Sequence, residues 1–317
     1  MAGPLTRERP ESQVAEAAAD GPASKPRRGP LRAVIVALRP QEWVKNLLVF
    51  AGLLFSAKFK DFDAVVDASV TFAAFCMVAS AGYLVNDAQD VAEDRQHPSK
   101  RFRPIAAGEL AIPTAIGLAV VLAVVALAGS AVLEGLEIGG LVLAYGVGTT
   151  LYSYVLKHEV ILDVMTISGL FVLRVLAGAL AVDADASAFL LLCTAMVALF
   201  LGFTKRRQEA TSELHSGTQS RPVLEHYSIP FLDQMVAMVT ATTVMSYAIY
   251  AVNSPLIGSK MLATLPPVLY GIFRYLYLIY DRKDTRSTDA ILLEDYGMIG
   301  AGVTWVAAVI ILLAIYH

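Results

Sequence analysis

From residue 31 onward the chain alternates long apolar runs with shorter polar connections. The runs are of helix length rather than strand length. Nine of them lie near 40–57, 66–87, 111–131, 138–156, 161–182, 186–204, 233–252, 262–280 and 297–315. Each approaches the ~20 helical residues needed to cross a hydrocarbon core of ~30 Å. Glu42 and Lys45 interrupt the first run, and Arg274 the eighth. The connections 88–110, 205–232 and 281–296 are long and charged; the others are short. This pattern predicts an all-α integral membrane protein with nine transmembrane helices.

Composition agrees, since 56% of the 317 residues are hydrophobic and 17% are charged, against ~25% charge in soluble domains. Mean hydropathy is +0.59. Residues 1–30 are rich in Pro, Ala, Gly and charge without an apolar stretch, which predicts a disordered cytoplasmic tail rather than a cleaved signal peptide. Residues 31–317 then form one membrane domain. Lys and Arg concentrate in the tail and in every second connection, where Arg95, Lys100, Arg101, Arg103, Lys157, Lys205, Arg206, Arg207, Arg221, Arg282, Lys283 and Arg286 fall. The alternate connections hold only Lys58, Lys60 and Lys260. By the positive-inside rule the N-terminus is cytoplasmic and the C-terminus outside, in a cytoplasmic (plasma) membrane. All three long charged loops then share the cytoplasmic face.

Candidate chemistry sits where the second run ends, in the stretch NDAQDVAEDRQHPSKRFRP from Asn86 to Pro104. On a continuous helix Asn86, Asp87, Asp90 and Asp94 would share a face about 100° wide. Three close carboxylates repel unless a cation intervenes. Mg²⁺ prefers oxygen ligands and is commonly held by one or two carboxylates plus substrate phosphates; Mn²⁺ is an acceptable substitute. The same residues also read as a solvated helix end paired with its neighbouring Arg and Lys. Arg95, Lys100, Arg101 and Arg103, like Lys205, Arg206 and Arg207, suit phosphate oxygens or the headgroup side of a membrane. Asp163 and Arg174, eleven residues apart, return to nearly the same face of the fifth run, with Arg174 roughly 15 Å deeper. Asp163 reads as a site residue and Arg174 as structural. The loop 281–295, of mixed charge with an amphipathic stretch, reads as a solvated connection or, alternatively, a cap over a cavity; Phe171, Tyr247 and Tyr250 are candidates to line a groove for a lipid chain, or else packing and belt residues. Cys76 and Cys193 fall inside apolar runs and read as core residues. Small residues such as Ala177, Gly178 and Ala179 permit close helix contact, within the chain or between copies in a homo-oligomer. No zinc, P-loop or dinucleotide-binding pattern is present, and nucleic acid is not an expected partner.

Asn86-Asp87-x-x-Asp90-x-x-x-Asp94 followed by Arg103-Pro104-x-x-Ala107-Gly108 resembles the first signature of the UbiA superfamily of intramembrane prenyltransferases. That resemblance implies a helical bundle around a central cavity open to the cytoplasmic face, with the acidic motif binding Mg²⁺ and the diphosphate of a donor. Two positions depart from the superfamily pattern. Where a second acidic motif is expected, the chain has Lys205-Arg206-Arg207-Gln208-Glu209, and only Glu209 could serve as an acid. Where Tyr-x-x-x-Lys is expected, Lys157 is present but Ser153 stands four residues before it, flanked by Tyr152 and Tyr154.

An acid replaced by cations suits a substrate with an additional anionic group. With Arg39-Pro40-x-x-Trp43-x-Lys45-Asn46 and His97-Pro98-x-Lys100-Arg101, the chain resembles a branch of the superfamily that moves 5-phosphoribose from phosphoribosyl pyrophosphate (PRPP) onto a polyprenyl phosphate. That branch serves cell-wall arabinan synthesis. The resemblance implies metal ligation by Asn86, Asp87, Asp90 and Asp94, the three carboxylates being the catalytic groups. It implies substrate binding by Arg95, Lys100, Arg101, Arg103, Tyr154, Lys157, Asp163, Lys205, Arg206 and Glu209. An aromatic prenyltransferase with a polyprenyl diphosphate donor is the nearest alternative, and a membrane anion transporter a more distant one.

Overall fold

The computed structural model describes residues 28–316 apart from 98, 217–221, 283, 285 and 287. Most of the expected N-terminal tail, residues 1–27, lies outside the described residues, as do Arg221 and Lys283. Arg28 is tied down, its backbone N–H and guanidinium both donating to the Glu109 carboxylate at 3.1 and 2.9 Å.

All regular structure among the described residues is helical. In chain order it comprises α1 (Pro30–Leu38), a 3-10 segment (Pro40–Val49), α2 (Phe50–Phe55), α3 (Phe62–Gln89), α4 (Val91–Gln96), α5 (Ile112–Leu133) and α6 (Leu136–Tyr154). There follow α7 (Leu162–Ala181), α8 (Ala188–Ser216), α9 (Ile229–Val252), α10 (Leu265–Tyr280), α11 (Thr288–Glu294) and α12 (Tyr296–Tyr316). Seven helical segments among the described residues are long and apolar enough to cross a membrane. The protein is a multi-pass membrane protein.

Two of the nine predicted spans differ from that set. The run at 138–156 is a single 19-residue helix, α6, but its Gly, Thr and Ser content dilutes its apolar character. The run at 40–57 is broken. Pro40 has no N–H to continue the α1 ladder, and Arg39 closes α1 in a left-handed conformation, φ 53°. A ten-residue 3-10 segment follows before α2 begins, whereas 3-10 runs rarely exceed four residues.

Tertiary packing explains how that segment is held. It crosses α7 so closely that a Cβ on Gly178 would lie 1.8 Å from the Val49 carbonyl oxygen. One on Gly52 would lie 2.5 Å from Ala179 Cα. The small-residue stretch at 177–179 therefore serves contact within the chain. The remaining helices pack largely in sequence order, α3 on α5, α5 on α6, α6 on α7, α7 on α8, α8 on α9 and α10 on α12. Helix α3 also touches α6 and α7. Ser168 Oγ donates to the Ala195 carbonyl across α7 and α8 at 2.9 Å, and Cys76 and Cys193 are buried free thiols.

Candidate active site

A cavity of about 1150 Å³ lies between α3, α5, α6, α7 and α8, walled on one side by the 3-10 segment. Its polar lining includes Arg39, Glu42, Lys45, Asn86, Tyr152, Ser153, Tyr154, Lys205, Arg206 and Thr288. The remaining walls are mostly apolar, with Val120, Leu127, Leu143 and Phe171 among them.

The acidic motif does not lie along one continuous helix. Helix α3 stops at Gln89 and α4 starts at Val91, with Asp90 at the break. Asn86 and Asp87 therefore belong to α3 and Asp94 to α4. Asn86 lines the cavity and donates through Nδ2 to Ser153 Oγ at 3.0 Å, which leaves its carbonyl oxygen as an acceptor. Asp87 is 2% exposed and accepts from Arg39 Nη2 at 2.5 Å. Arg103 Nη1 stands 3.1 Å from the same Asp87 oxygen and donates to Asp94 Oδ2 at 2.7 Å. Asp90 is half-buried, and its carboxylate has no side-chain partner among the described residues.

In this arrangement arginines neutralise two of the three acids, and no three His, Cys, Asp or Glu side chains among the described residues converge as a metal site. The donor set is nonetheless all oxygen. It fits a divalent cation held by Asn86 and one or two carboxylates, Asp90 foremost, with phosphate oxygens completing the shell.

Helix α8 presents Lys205 and Arg206 to the cavity that Asn86 also lines. Arg206 is 1% exposed, with Nε 3.1 Å from Asp163 Oδ2 and Nη1 donating to Glu209. Nε and Oδ2 are close enough for an ion pair but not aligned as a hydrogen bond. Tyr227 donates to Asp163 Oδ1 at 2.8 Å and accepts from the Ile161 N–H at 2.6 Å. Burial pushes the Tyr227 phenol well above its ordinary value, so it stays a donor. Arg207 points away, paired with Asp233 at 2.9 Å and stacked 3.9 Å over the Tyr280 ring.

The expected site residues thus divide. Asn86, Tyr154, Lys205 and Arg206 line the cavity. Asp87, Asp94 and Arg103 form the ionic cluster beside it, and Asp163 and Glu209 stand behind Arg206. Arg95, Lys100 and Arg101 are exposed outside the cavity wall: Arg95 donates to the Ala106 carbonyl and Arg101 stacks on Phe102. Lys157, in the 3-10 turn Leu156–His158, is also outside the wall.

Other expectations are corrected. The 281–295 loop is no solvated connection, because Thr288 and Leu292 of α11 line the cavity and Ile291 is fully buried. Gln208 holds the loop down by donating to the Asp284 and Arg286 carbonyls. The Arg286 guanidinium keeps the Asp284 carboxyl below its usual range. Phe171 lines the cavity, but Tyr247 and Tyr250 pack in a core with Met261 and Val309, and Trp305 donates to Tyr247.

Arg174 holds together the floor of the cavity. It donates to Asn46 Oδ1 at 2.7 Å, Tyr145 OH at 2.7 Å and the Leu170 carbonyl at 3.1 Å, between the rings of Tyr145 and Phe171. Tyr145 and Tyr227 carried no sequence signal of their own. Arg39, Lys45 and Asn46 did, in the Arg-Pro-x-x-Trp-x-Lys-Asn stretch.

The UbiA prenyltransferase family matches residues 46–294. A decaprenyl-phosphate phosphoribosyltransferase of Corynebacterium glutamicum is 35% identical over 294 residues, covering 89% of this chain and 86% of that protein. One from Mycobacterium tuberculosis is 32% identical over 281 residues, covering 87% and 92%. Among solved structures, a UbiA homolog from Archaeoglobus fulgidus bound to DMAPP and Mg²⁺ superposes with a TM-score of 0.68 at 17% identity, covering 89% of this chain and 99% of that one.

Proposed function

The chain belongs to the UbiA prenyltransferase family, and we propose that it transfers 5-phosphoribose from PRPP to a polyprenyl phosphate, decaprenyl phosphate in the relatives' case, releasing diphosphate. The observation that carries this reading is the make-up of the cavity. Two cations, Lys205 and Arg206, line the same cavity as Asn86 of the acidic motif, and the rest of the lining is largely apolar. Such a space suits a sugar bearing anionic groups at both ends together with a long isoprenoid chain.

The donor's diphosphate lies at Asn86, Asp87, Asp90 and Asp94, and its 5-phosphate at Lys205 and Arg206. Bound Mg²⁺ would offset the charge that develops on the leaving diphosphate. Arg39 and Arg103 add donors beside the same carboxylates. A phosphate oxygen of the lipid attacks C1 of the ribose from the face opposite the diphosphate; the new C1–O bond forms as the old one breaks. The attacking oxygen is already anionic near neutral pH, so the chain needs no strong general base. Val120, Leu127, Leu143 and Phe171 hold the isoprenoid chain and keep water from C1, while Thr288 and Leu292 cover the polar groups.

We place nine membrane crossings in the chain, counting α6 and the broken segment at 40–57. The N-terminus and the polar part of the cavity are cytoplasmic, the C-terminus is outside, and the enzyme serves cell-wall arabinan synthesis. Incubating purified protein with Mg²⁺, polyprenyl phosphate and PRPP labelled in the ribose tests the reaction. Label is expected in an organic-extractable, phosphate-linked lipid. Label that stays aqueous, while a polyprenyl diphosphate and an aromatic acceptor react, would assign ordinary prenyl transfer instead.

A further inference from the structure

Ile161 has φ 71° and ψ −46°, the conformation at the centre of a γ-turn, which is rare and strained. A β-branched residue adopts a positive φ only where its surroundings enforce it. Tyr227 bonds directly to this turn. Its phenol oxygen accepts the Ile161 N–H at 2.6 Å and donates to Asp163 Oδ1 at 2.8 Å. The turn Leu156–His158, which carries Lys157, packs against the turn Pro222–His226 just before Tyr227.

Asp163 then presents its other oxygen to Arg206 Nε, 3.1 Å away. Because that contact is not an aligned hydrogen bond, it does not fix the guanidinium direction by itself. The Nη1–Glu209 bond pins one end of the guanidinium, and the charge of Asp163, held in place by Tyr227, biases the Nε side. Asp163 is 0%, Arg206 1% and Tyr227 5% exposed, so water cannot take over these contacts. An Arg side chain has five N–H donors. Asp163 lies beside Nε and Glu209 accepts from Nη1, while Arg206 also lines the cavity wall.

We propose that Tyr227 is a positioning residue: by bridging the Ile161 amide and the Asp163 carboxylate it aims Arg206 at an anionic oxygen of the donor. The inference rests on the reading of the cavity given above, and it adds a residue outside the cavity to the groups that set donor affinity.

Full-length Tyr227→Phe, Asp163→Asn and the double variant, purified in nanodiscs, test it. PRPP binding is titrated with Mg²⁺ present, and steady-state KM and kcat are measured for both substrates. Each single variant is expected to weaken PRPP binding about tenfold, the scale of one charged hydrogen bond, leaving the polyprenyl phosphate KM within about twofold. Since both act through Arg206, the double variant should lose no more than the larger single loss. Lower thermal midpoints with unchanged PRPP binding would reduce Tyr227 to a structural role and overturn the proposal. So would single losses that multiply in the double variant. If wild type itself binds no PRPP, the reading of the cavity fails first and this inference with it; normal wild-type binding with an unaffected Tyr227→Phe refutes this inference alone.

Discussion

Arg39 and Asp87 are 48 residues apart in sequence and joined at 2.5 Å, with Arg39 reaching from the break after α1 into the acidic motif. A cation from one helix end thus occupies a carboxylate oxygen that the proposed metal–diphosphate complex would also use. Arg103, 3.1 Å from the same oxygen, does so from the other side.

Asp87 and Asp90 are therefore expected to behave differently when neutralised. Asp87→Asn deprives two guanidinium groups of a partner and should lower stability by ~1–3 kcal/mol. Asp90→Asn, whose carboxylate has no side-chain partner among the described residues, should leave the unfolding midpoint nearly unchanged. Both should cut PRPP turnover by ~10²–10³, as expected for loss of a transition-state stabiliser, and EDTA should abolish it in wild type. Near-normal turnover in both variants, or in EDTA, would defeat the metal assignment.

Lys205→Ala and Arg206→Ala should each weaken PRPP binding by about tenfold to a hundredfold, from ~1.5–3 kcal/mol per charged contact. Affinity for polyprenyl phosphate should stay level. Arg206→Ala should also unfold earlier, because it strands the buried Asp163 carboxylate, at a cost of ~3–5 kcal/mol. Calorimetric titration of both substrates against both variants is the check. Weakening confined to the lipid would move these cations to the acceptor phosphate.

Orientation can be read with single cysteines, since Cys76 and Cys193 are buried. Pro30→Cys and His215→Cys should react with an impermeant thiol reagent only from the cytoplasmic side, and Leu136→Cys only from outside. Labelling of positions 30 and 215 from opposite sides would contradict the nine crossings and the shared active face.

Gly178→Ala adds one methyl group where the Val49 carbonyl oxygen would be 1.8 Å away. The three nearest atoms are all Val49 backbone, so relief requires the 3-10 segment to move off α7. A loss of at least ~1–3 kcal/mol is expected, seen as a lower thermal midpoint, and Arg39 and Asn46 should be displaced along with the segment. A midpoint equal to wild type would show that the crossing is looser than the geometry implies.

Membrane class, most of the helices and the family were legible in the sequence itself. Apolar runs of spanning length have few alternatives in lipid, because every backbone polar group must be bonded within its own segment. Sorted Lys and Arg and a spaced Asn–Asp motif are likewise local properties of the chain. The tertiary structure decided which charges meet. Asp87 with Arg39, Asp163 with Arg206 and Tyr227, and Arg174 with Asn46 and Tyr145 join residues far apart in sequence. The same holds for the packing of Ile291 that turns the 281–295 loop into a cavity wall. Charge and periodicity state what a residue needs; they do not say which distant residue supplies it. In a low-dielectric interior an unpaired charge is too costly to leave, so pairing was bound to occur, but only the crossing of the 3-10 segment over α7 and the approach of the turn at Tyr227 fixed the partners.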